Sequence, residues 1–189
     1  MTLNKKQKNS NYQLLTEQIN LNSNELDTKS TKEIVNIFNE ADKVPQKAVE
    51  QAIPEIVKAI DAITERLKTN GKLFYIGTGT SGRLGVLDAS ECPPTFSTNP
   101  DLVQGIIAGG IPSLTRSSES LEDFSDISIV DLKDRNFSNK DVLLGISASG
   151  RTPYVLGALK YSKSINALTI SISSVPKCDS TLENDIDIR

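Results

Sequence analysis

Apolar residues recur along this chain in two rhythms, and the change falls near residue 71. Upstream the rhythm is helical. Ile34, Val35, Ile37 and Phe38 share one face of a helix expected over 30–41, with Thr31 and Glu33 near its start. Val49, Ile53, Ile56, Val57, Ile60 and Ile63 recur at three- and four-residue steps over 46–69. Residues 43–45 are expected to separate these helices, and Pro54 to kink or interrupt the second. Asn70 and Gly71 supply its stop. Ahead of both, 16–24 reads as extended or turn-like, and 1–11, rich in Lys, Asn and Gln, as a loose tail.

Downstream the pattern becomes short apolar runs alternating with helical stretches. Strands are expected at 73–76, 103–108, 142–147, 167–173 and 185–188. Helices are expected at 81–91, at 113–120 with a second piece to Leu132, and at 153–164. Such alternation predicts an α/β fold, a parallel sheet covered by helices on both faces. The division expected is a flexible tail (1–21), a helical region (22–70) and a sheet domain (71–189). The last strand runs into the end of the chain, so the sheet domain is expected to be truncated.

Two strand-to-helix junctions carry the chemistry. The first strand empties into Gly77, Thr78, Gly79, Thr80, Ser81 and Gly82, read as a loop. The third empties into Ser147, Ser149, Gly150, Arg151 and Thr152. Hydroxyls beside free amides at a helix start suit phosphate. One such turn alone is more often only a turn. Two on parallel strands are positioned to share a ligand outside the carboxyl ends of the strands. Gly77, Gly79 and Gly82 fit G-x-G-x-x-G, but no acidic residue follows in the context a dinucleotide needs. No G-x-x-x-x-G-K-[ST] is present.

Composition narrows the chemistry. The net charge is −3, and the only basic cluster is the short run at 5–8, which argues against nucleic acid or an anionic membrane surface as partner. No apolar run is long enough to span a bilayer, and the polar N-terminus does not read as a secretory signal. Cys92 and Cys178 match no zinc spacing and suit a reducing cytoplasm. With no histidine in the chain, a general acid or base must be Glu, Asp, Lys, Tyr or Cys. Glu91, before Cys92-Pro93-Pro94, reads either as a fixed acid at a helix end or as a solvated glutamate. Arg83 and Arg151 each follow a glycine and read equally as anion partners or surface ion pairs. Cys92 and Tyr154 read as packing residues.

The run IGTGTSGRLGVLDASECPPT, with IAGG at 107–110 and SASGRTPYV at 147–155, closely resembles the N-acetylmuramic acid 6-phosphate etherases. ELDTKSTKEIVNIFNEADKVPQKAVEQAIPEI upstream is similar to that family's N-terminal helical region. The resemblance runs from about Asn22 onward. It lacks the C-terminal helical part of such proteins, with its Gly-Ser-x-Arg-x-Lys signature. It implies a sugar isomerase domain, flavodoxin-like, that binds phosphosugars.

The implied reaction cleaves the lactyl ether of N-acetylmuramic acid 6-phosphate without metal or cofactor, giving N-acetylglucosamine 6-phosphate and D-lactate. The resemblance places the family's catalytic glutamates at Glu91 and Glu122, with acid and base roles left open, and Glu119 rivals Glu122. Thr78, Thr80, Ser81, Arg83, Ser147, Ser149, Arg151 and Thr152 are the phosphate and substrate candidates. Also implied are a cytoplasmic location and a homodimer, with neighbouring subunits completing the site. The alternatives are a non-catalytic phosphosugar-binding regulatory domain, which would need the loops but not Glu91, and an aldose–ketose isomerase.

Overall fold

The computed structural model describes residues 15–117, 121–175 and 186–188. Three single 3-10 turns, Leu15–Glu17, Leu21–Ser23 and Leu26–Thr28, lead into α1 (Thr31–Ala41). Ser30 caps α1. Its hydroxyl accepts the Glu33 N–H at 3.4 Å, and the Glu33 carboxylate accepts the Ser30 N–H at 2.8 Å.

The expected separator at 43–45 is instead the opening of α2 (Lys43–Lys68). Asp42 alone divides the helices and keeps helical angles. Pro45 is the third residue of α2, where a missing N–H removes no helical bond. Nor is α2 interrupted at Pro54. That side is exposed, so water can serve the carbonyl that loses its partner. The expected stop holds: Asn70 takes φ 64° and the Gly71 N–H donates to the Arg66 carbonyl at 2.9 Å.

The sheet comprises β1 (Leu73–Gly77), β2 (Val103–Ile107), β3 (Val142–Ile146) and β4 (Leu168–Ile172). All pairings are parallel, in the order β2-β1-β3-β4. From β1 the chain goes to one side for β2 and returns to the other for β3, so connections diverge between β1 and β3. In place of an expected fifth strand over 185–188, the described residues show one parallel bridge, Ile188 to Ile170. The Asp187 carboxylate accepts the Thr169 N–H and hydroxyl at 2.9 and 2.8 Å and pairs with Lys163.

Alternate strand residues point to opposite faces, and each face has its own core. On one, Leu73, Val142, Leu144 and Ile170 meet Ala59, Ile63 and Leu67 of α2. On this face too, α3 (Gly79–Phe96) packs Gly85 against Tyr75. On the other, Phe74, Ile76 and Leu143 pack with Leu132 of α5 (Ser125–Asp134) and Tyr154, Val155 and Leu159 of α6 (Pro153–Ser164). Each fully buried side chain of this size contributes about 1.5–3 kcal/mol.

Two helix expectations need correction. Of the helix expected over 113–120, the described residues 113–117 show only the single turn α4 (Pro112–Thr115), after which Arg116 is extended; residues 118–120 lie outside the described residues. The helix expected to end at Glu91 runs on to Phe96 through Pro93 and Pro94. Proline's fixed φ is helical, and these prolines remove only the bonds to the Ala89 and Ser90 carbonyls. Ser97, at φ 56°, ends α3 by donating its N–H to the Pro93 carbonyl at 2.9 Å.

Candidate functional site

The divergence point between β1 and β3 brings the two hydroxyl-bearing junctions together. Gly77 and Ile146 are register partners, so Thr78 and Ser147 leave the sheet side by side. The first junction is tighter than a six-residue loop. Gly77 still belongs to β1, Thr78 alone is the connection, and α3 starts at Gly79. A Cβ on Gly82 would lie 2.6 Å from the Gly77 carbonyl oxygen, so only glycine lets the strand end and the helix start touch. Thr80 and Ser81 therefore stand on the first helical turn, whose amides lack helical acceptors. Thr78 caps α3 in extended conformation without turning its hydroxyl onto the helix.

The second junction stays a loop. The buried Ser147 hydroxyl lies 2.9 Å from that of Thr152. Ser149 Oγ accepts the Arg151 N–H at 3.2 Å. Gly150, at φ 66°, donates to the Ser147 carbonyl at 3.1 Å. Pro153 then opens α6, with Thr152 as its cap. The hydroxyls of Ser147, Ser149 and Thr152 thus occupy one short turn ahead of a helix N-terminus, where the macrodipole favours an anion.

Glu122 joins the junctions. Its main-chain carbonyl accepts the Tyr154 N–H at 3.0 Å, tying its segment to the first turn of α6. Its carboxylate Oε2 is 3.5 Å from the Thr78 hydroxyl, a long contact. The Glu122 side chain is exposed.

Tyr154 supports this arrangement from inside. Its ring is fully buried and its hydroxyl donates to Asp131 Oδ2 at 2.5 Å. Burial, with the Asp131 carboxylate second, pushes the phenol far above its ordinary range. Tyr154 thus packs in the core and anchors the start of α6 to α5. Its link to Asp131, 23 residues upstream, left no trace in local sequence pattern. Arg83 Nε donates to the Leu114 carbonyl at 3.1 Å, which ties α3 to α4. Arg151 is exposed on the second loop.

Glu91 is not brought into this group. It is exposed in the body of α3, twelve residues from Gly79. Twelve residues of α-helix rise about 18 Å. Cys92 is half-buried and donates to the Asp88 carbonyl at 3.4 Å; burial, then Asp88, pushes its thiol up. Its reading as a packing residue agrees with that environment. Glu119, the rival to Glu122, and Cys178 lie outside the described residues. Among the described residues no helix is long and apolar enough to cross a membrane.

A parallel sheet with two hydroxyl turns converging at its switch point is the architecture of a sugar isomerase, or SIS, domain. Residues 55–163 match the family described as the glucokinase regulatory protein N-terminal SIS domain, and the chain belongs to that family. It is 80% identical over 186 residues to a Prochlorococcus marinus (strain NATL2A) protein named N-acetylmuramic acid 6-phosphate etherase, covering 98% of this chain. A protein of the same name from strain MIT 9303 is 57% identical over 93% of this chain. The chain spans 60% and 56% of the lengths of these relatives. Among solved structures, phosphoheptose isomerase from Neisseria gonorrhoeae superposes with a TM-score of 0.57 at 19% identity, covering 75% of this chain and 73% of its own. Its counterpart from Francisella tularensis gives 0.51 at 16% identity, covering 84% and 82%. At these identities the likeness is one of fold.

Proposed function

We propose that the chain carries the phosphosugar site of an etherase that splits N-acetylmuramic acid 6-phosphate into N-acetylglucosamine 6-phosphate and D-lactate. The observation that carries this reading is Glu122 meeting both hydroxyl junctions in a chain 80% identical to a protein bearing that name. Residues 71–189 form the catalytic sheet domain, with 22–70 as a helical region ahead of it. The setting is cytoplasmic peptidoglycan recycling, and the working form is a homodimer.

Ser147, Ser149 and Thr152, with the first-turn amides of α3 and α6 and the Thr78, Thr80 and Ser81 hydroxyls, hold the phosphate. Arg83 and Arg151 add positive charge around it. Ring opening exposes the C1 aldehyde, which acidifies the hydrogen on C2. Glu122 takes that proton, and the freed pair forms the C2–C3 double bond as the C3–O bond breaks. The departing lactyl oxygen takes a proton from Glu91. Water then adds across the double bond, hydroxyl to C3 and proton to C2. Positioned proton transfer of this kind supplies roughly 10²–10⁴-fold each.

Glu91 stands too far along its own helix to reach a sugar held at its own chain's junctions. Leu84 and Leu87, on the same face of α3, are 56% and 58% exposed. A second copy covering that face brings Glu91 of one protomer to the sugar on the other. Incubation of the chain with N-acetylmuramic acid 6-phosphate and assay of D-lactate tests the reading. Release of D-lactate is the expected result; tight binding without release would favour a non-catalytic phosphosugar domain.

A further inference from the structure

Glu122 stands in the turn ahead of α5, and its own segment offers little to fix it. Phe124, at the N-cap of α5, has no side chain that accepts a capping bond. Back towards α4 the chain is extended at Arg116. The turn is held instead by α6, at three points. The Tyr154 N–H lies in the first turn of α6, where amides lack helical acceptors, and donates to the Glu122 carbonyl at 3.0 Å. The Tyr154 hydroxyl donates to Asp131 Oδ2 at 2.5 Å, further along α5. Between these two bonds Gly157 lies against Ser125, the first residue of α5.

Gly157 is the least expected of the three. Its backbone is ordinary helix, so no left-handed turn calls for glycine here. Glycine inside a helix lowers stability relative to alanine. A Cβ at 157 would lie 2.5 Å from the Ser125 carbonyl oxygen, 2.7 Å from its Cβ and 2.9 Å from its Cα. Two of these atoms are backbone, so a side chain at 157 would displace the start of α5 and the turn ahead of it. The missing side chain lets α5 approach α6 this closely.

We propose that Tyr154 and Gly157 are positioning residues for Glu122. In this account α6 has two tasks: its N-terminus meets the phosphate, and its flank sets where the base stands. The inference rests on the reading of Glu122 as the C2 base and of the α6 N-terminus as part of the phosphate site. The phosphate is carried on C6 of the sugar and the reacting hydrogen on C2. Anchor and base held by one helix keep that span constant while the ring opens. A misplacement of about 1 Å in a catalytic group costs on the order of 10²-fold in rate, even when the mutated residue is far from the chemistry.

The test uses Gly157→Ala, which pushes Ser125 away, and Tyr154→Phe, which keeps the ring and deletes the hydroxyl bond. Without that bond the half-buried Asp131 is free to turn into the cavity it borders beside β2. Ile170→Val, a mild change in the core on the other sheet face, controls for lost stability alone. Far-ultraviolet circular dichroism checks that each variant folds. Three quantities are measured: kcat and KM for D-lactate release, affinity for N-acetylglucosamine 6-phosphate by calorimetry, and hydrogen exchange of the amide of residue 154 by nuclear magnetic resonance. Gly157→Ala is expected to lower kcat roughly 10–100-fold and Tyr154→Phe about 3–10-fold, with KM and affinity within about threefold of the parent. The amide of residue 154 should exchange at least about tenfold faster in both, while Ile170→Val keeps parental kcat and protection. Parental kcat in the two folded variants overturns the proposal. So does an amide as protected as in the parent, or a loss of kcat matched by an equal loss of affinity. A parent that releases no D-lactate counts against the etherase reading alone, and the amide of residue 154 then still decides whether these two residues hold Glu122.

Discussion

The Glu122 carboxylate lies 3.5 Å from the Thr78 hydroxyl, across the gap between the two junctions that leave β1 and β3. The same residue is pinned at its backbone by the Tyr154 N–H, at the start of the second helix of the pair. One acidic side chain is thereby fixed relative to both candidate phosphate turns, although 44 residues separate it from Thr78. On the proposed reading, that arrangement would give a phosphosugar a docking end and a base in one place.

Hydroxyl removal should weaken substrate without unfolding the chain. Ser81→Ala and Ser149→Ala are each expected to lower phosphosugar affinity by about 1–3 kcal/mol, the range for losing a partner to a desolvated charged group. Titration calorimetry with N-acetylglucosamine 6-phosphate measures this. Parent-like affinity in both variants would remove the turns from the phosphate site.

If Glu91 serves the neighbouring protomer, two dead variants should rescue each other. Glu91→Gln and Glu122→Gln alone should each lose roughly 10²–10⁴-fold in turnover. After mixing and subunit exchange, heterodimers hold one site with both glutamates intact. About a quarter of parental activity should return at equal mixing, by simple statistics of random pairing. No recovery despite proven exchange would place both glutamates on one chain's site.

The segment over 186–188 is clasped to β4 through Asp187, and the clasp should depend on pH. Burial acts to raise the Asp187 pKa, but the Lys163 ammonium and the Thr169 N–H and hydroxyl outweigh it and hold the carboxyl below its ordinary range. A lowered folded-state pKa stabilises the fold above the unfolded value, and that contribution is lost as pH falls through the folded value. Asp187→Asn should therefore destabilise the chain at pH 7 by less than about 1 kcal/mol, because the pair is largely solvated. The difference should shrink as pH falls below the ordinary carboxylate range towards the lowered folded-state value. Urea unfolding at pH 7 and pH 3 checks it; an equal difference at both would assign the effect to geometry rather than charge.

The four strands were legible because each is a short apolar run bounded by turn residues. Leu73–Gly77 and Val142–Ile146 fall within one residue of expectation for that reason. The convergence of the two junctions was legible as well, since parallel strands put their carboxyl ends on one edge. Helix ends were not. Pro93 and Pro94 read as a stop, yet proline's φ fits a helix and only two bonds are lost, so α3 continues. Pro45 misled in the same way at the opening of α2. The placement of Glu91 followed from that error: taken as a helix end beside a rigid turn, it is instead a solvated position in mid-helix. Glu122 was named by resemblance, but its contact with Thr78 depends on a fold of the chain between β2 and α5 that has no periodic signal. The exposure of Val49, Ile53, Ile56, Val57 and Ile60 on α2 was equally hidden, because an apolar face looks the same in sequence whether or not the sheet covers it.

The most direct test follows the C2 hydrogen. Parent, Glu91→Gln and Glu122→Gln are incubated with N-acetylmuramic acid 6-phosphate in deuterated water, and C2 deuterium and D-lactate are measured by nuclear magnetic resonance. The account expects the parent to release D-lactate with one deuterium placed on C2 of the product. It expects Glu91→Gln to exchange the C2 hydrogen of the substrate while releasing lactate poorly, and Glu122→Gln to do neither. Deuterium exchange and lactate release at parental rates in Glu122→Gln would contradict the assignment of Glu122, and with it the site built around Thr78.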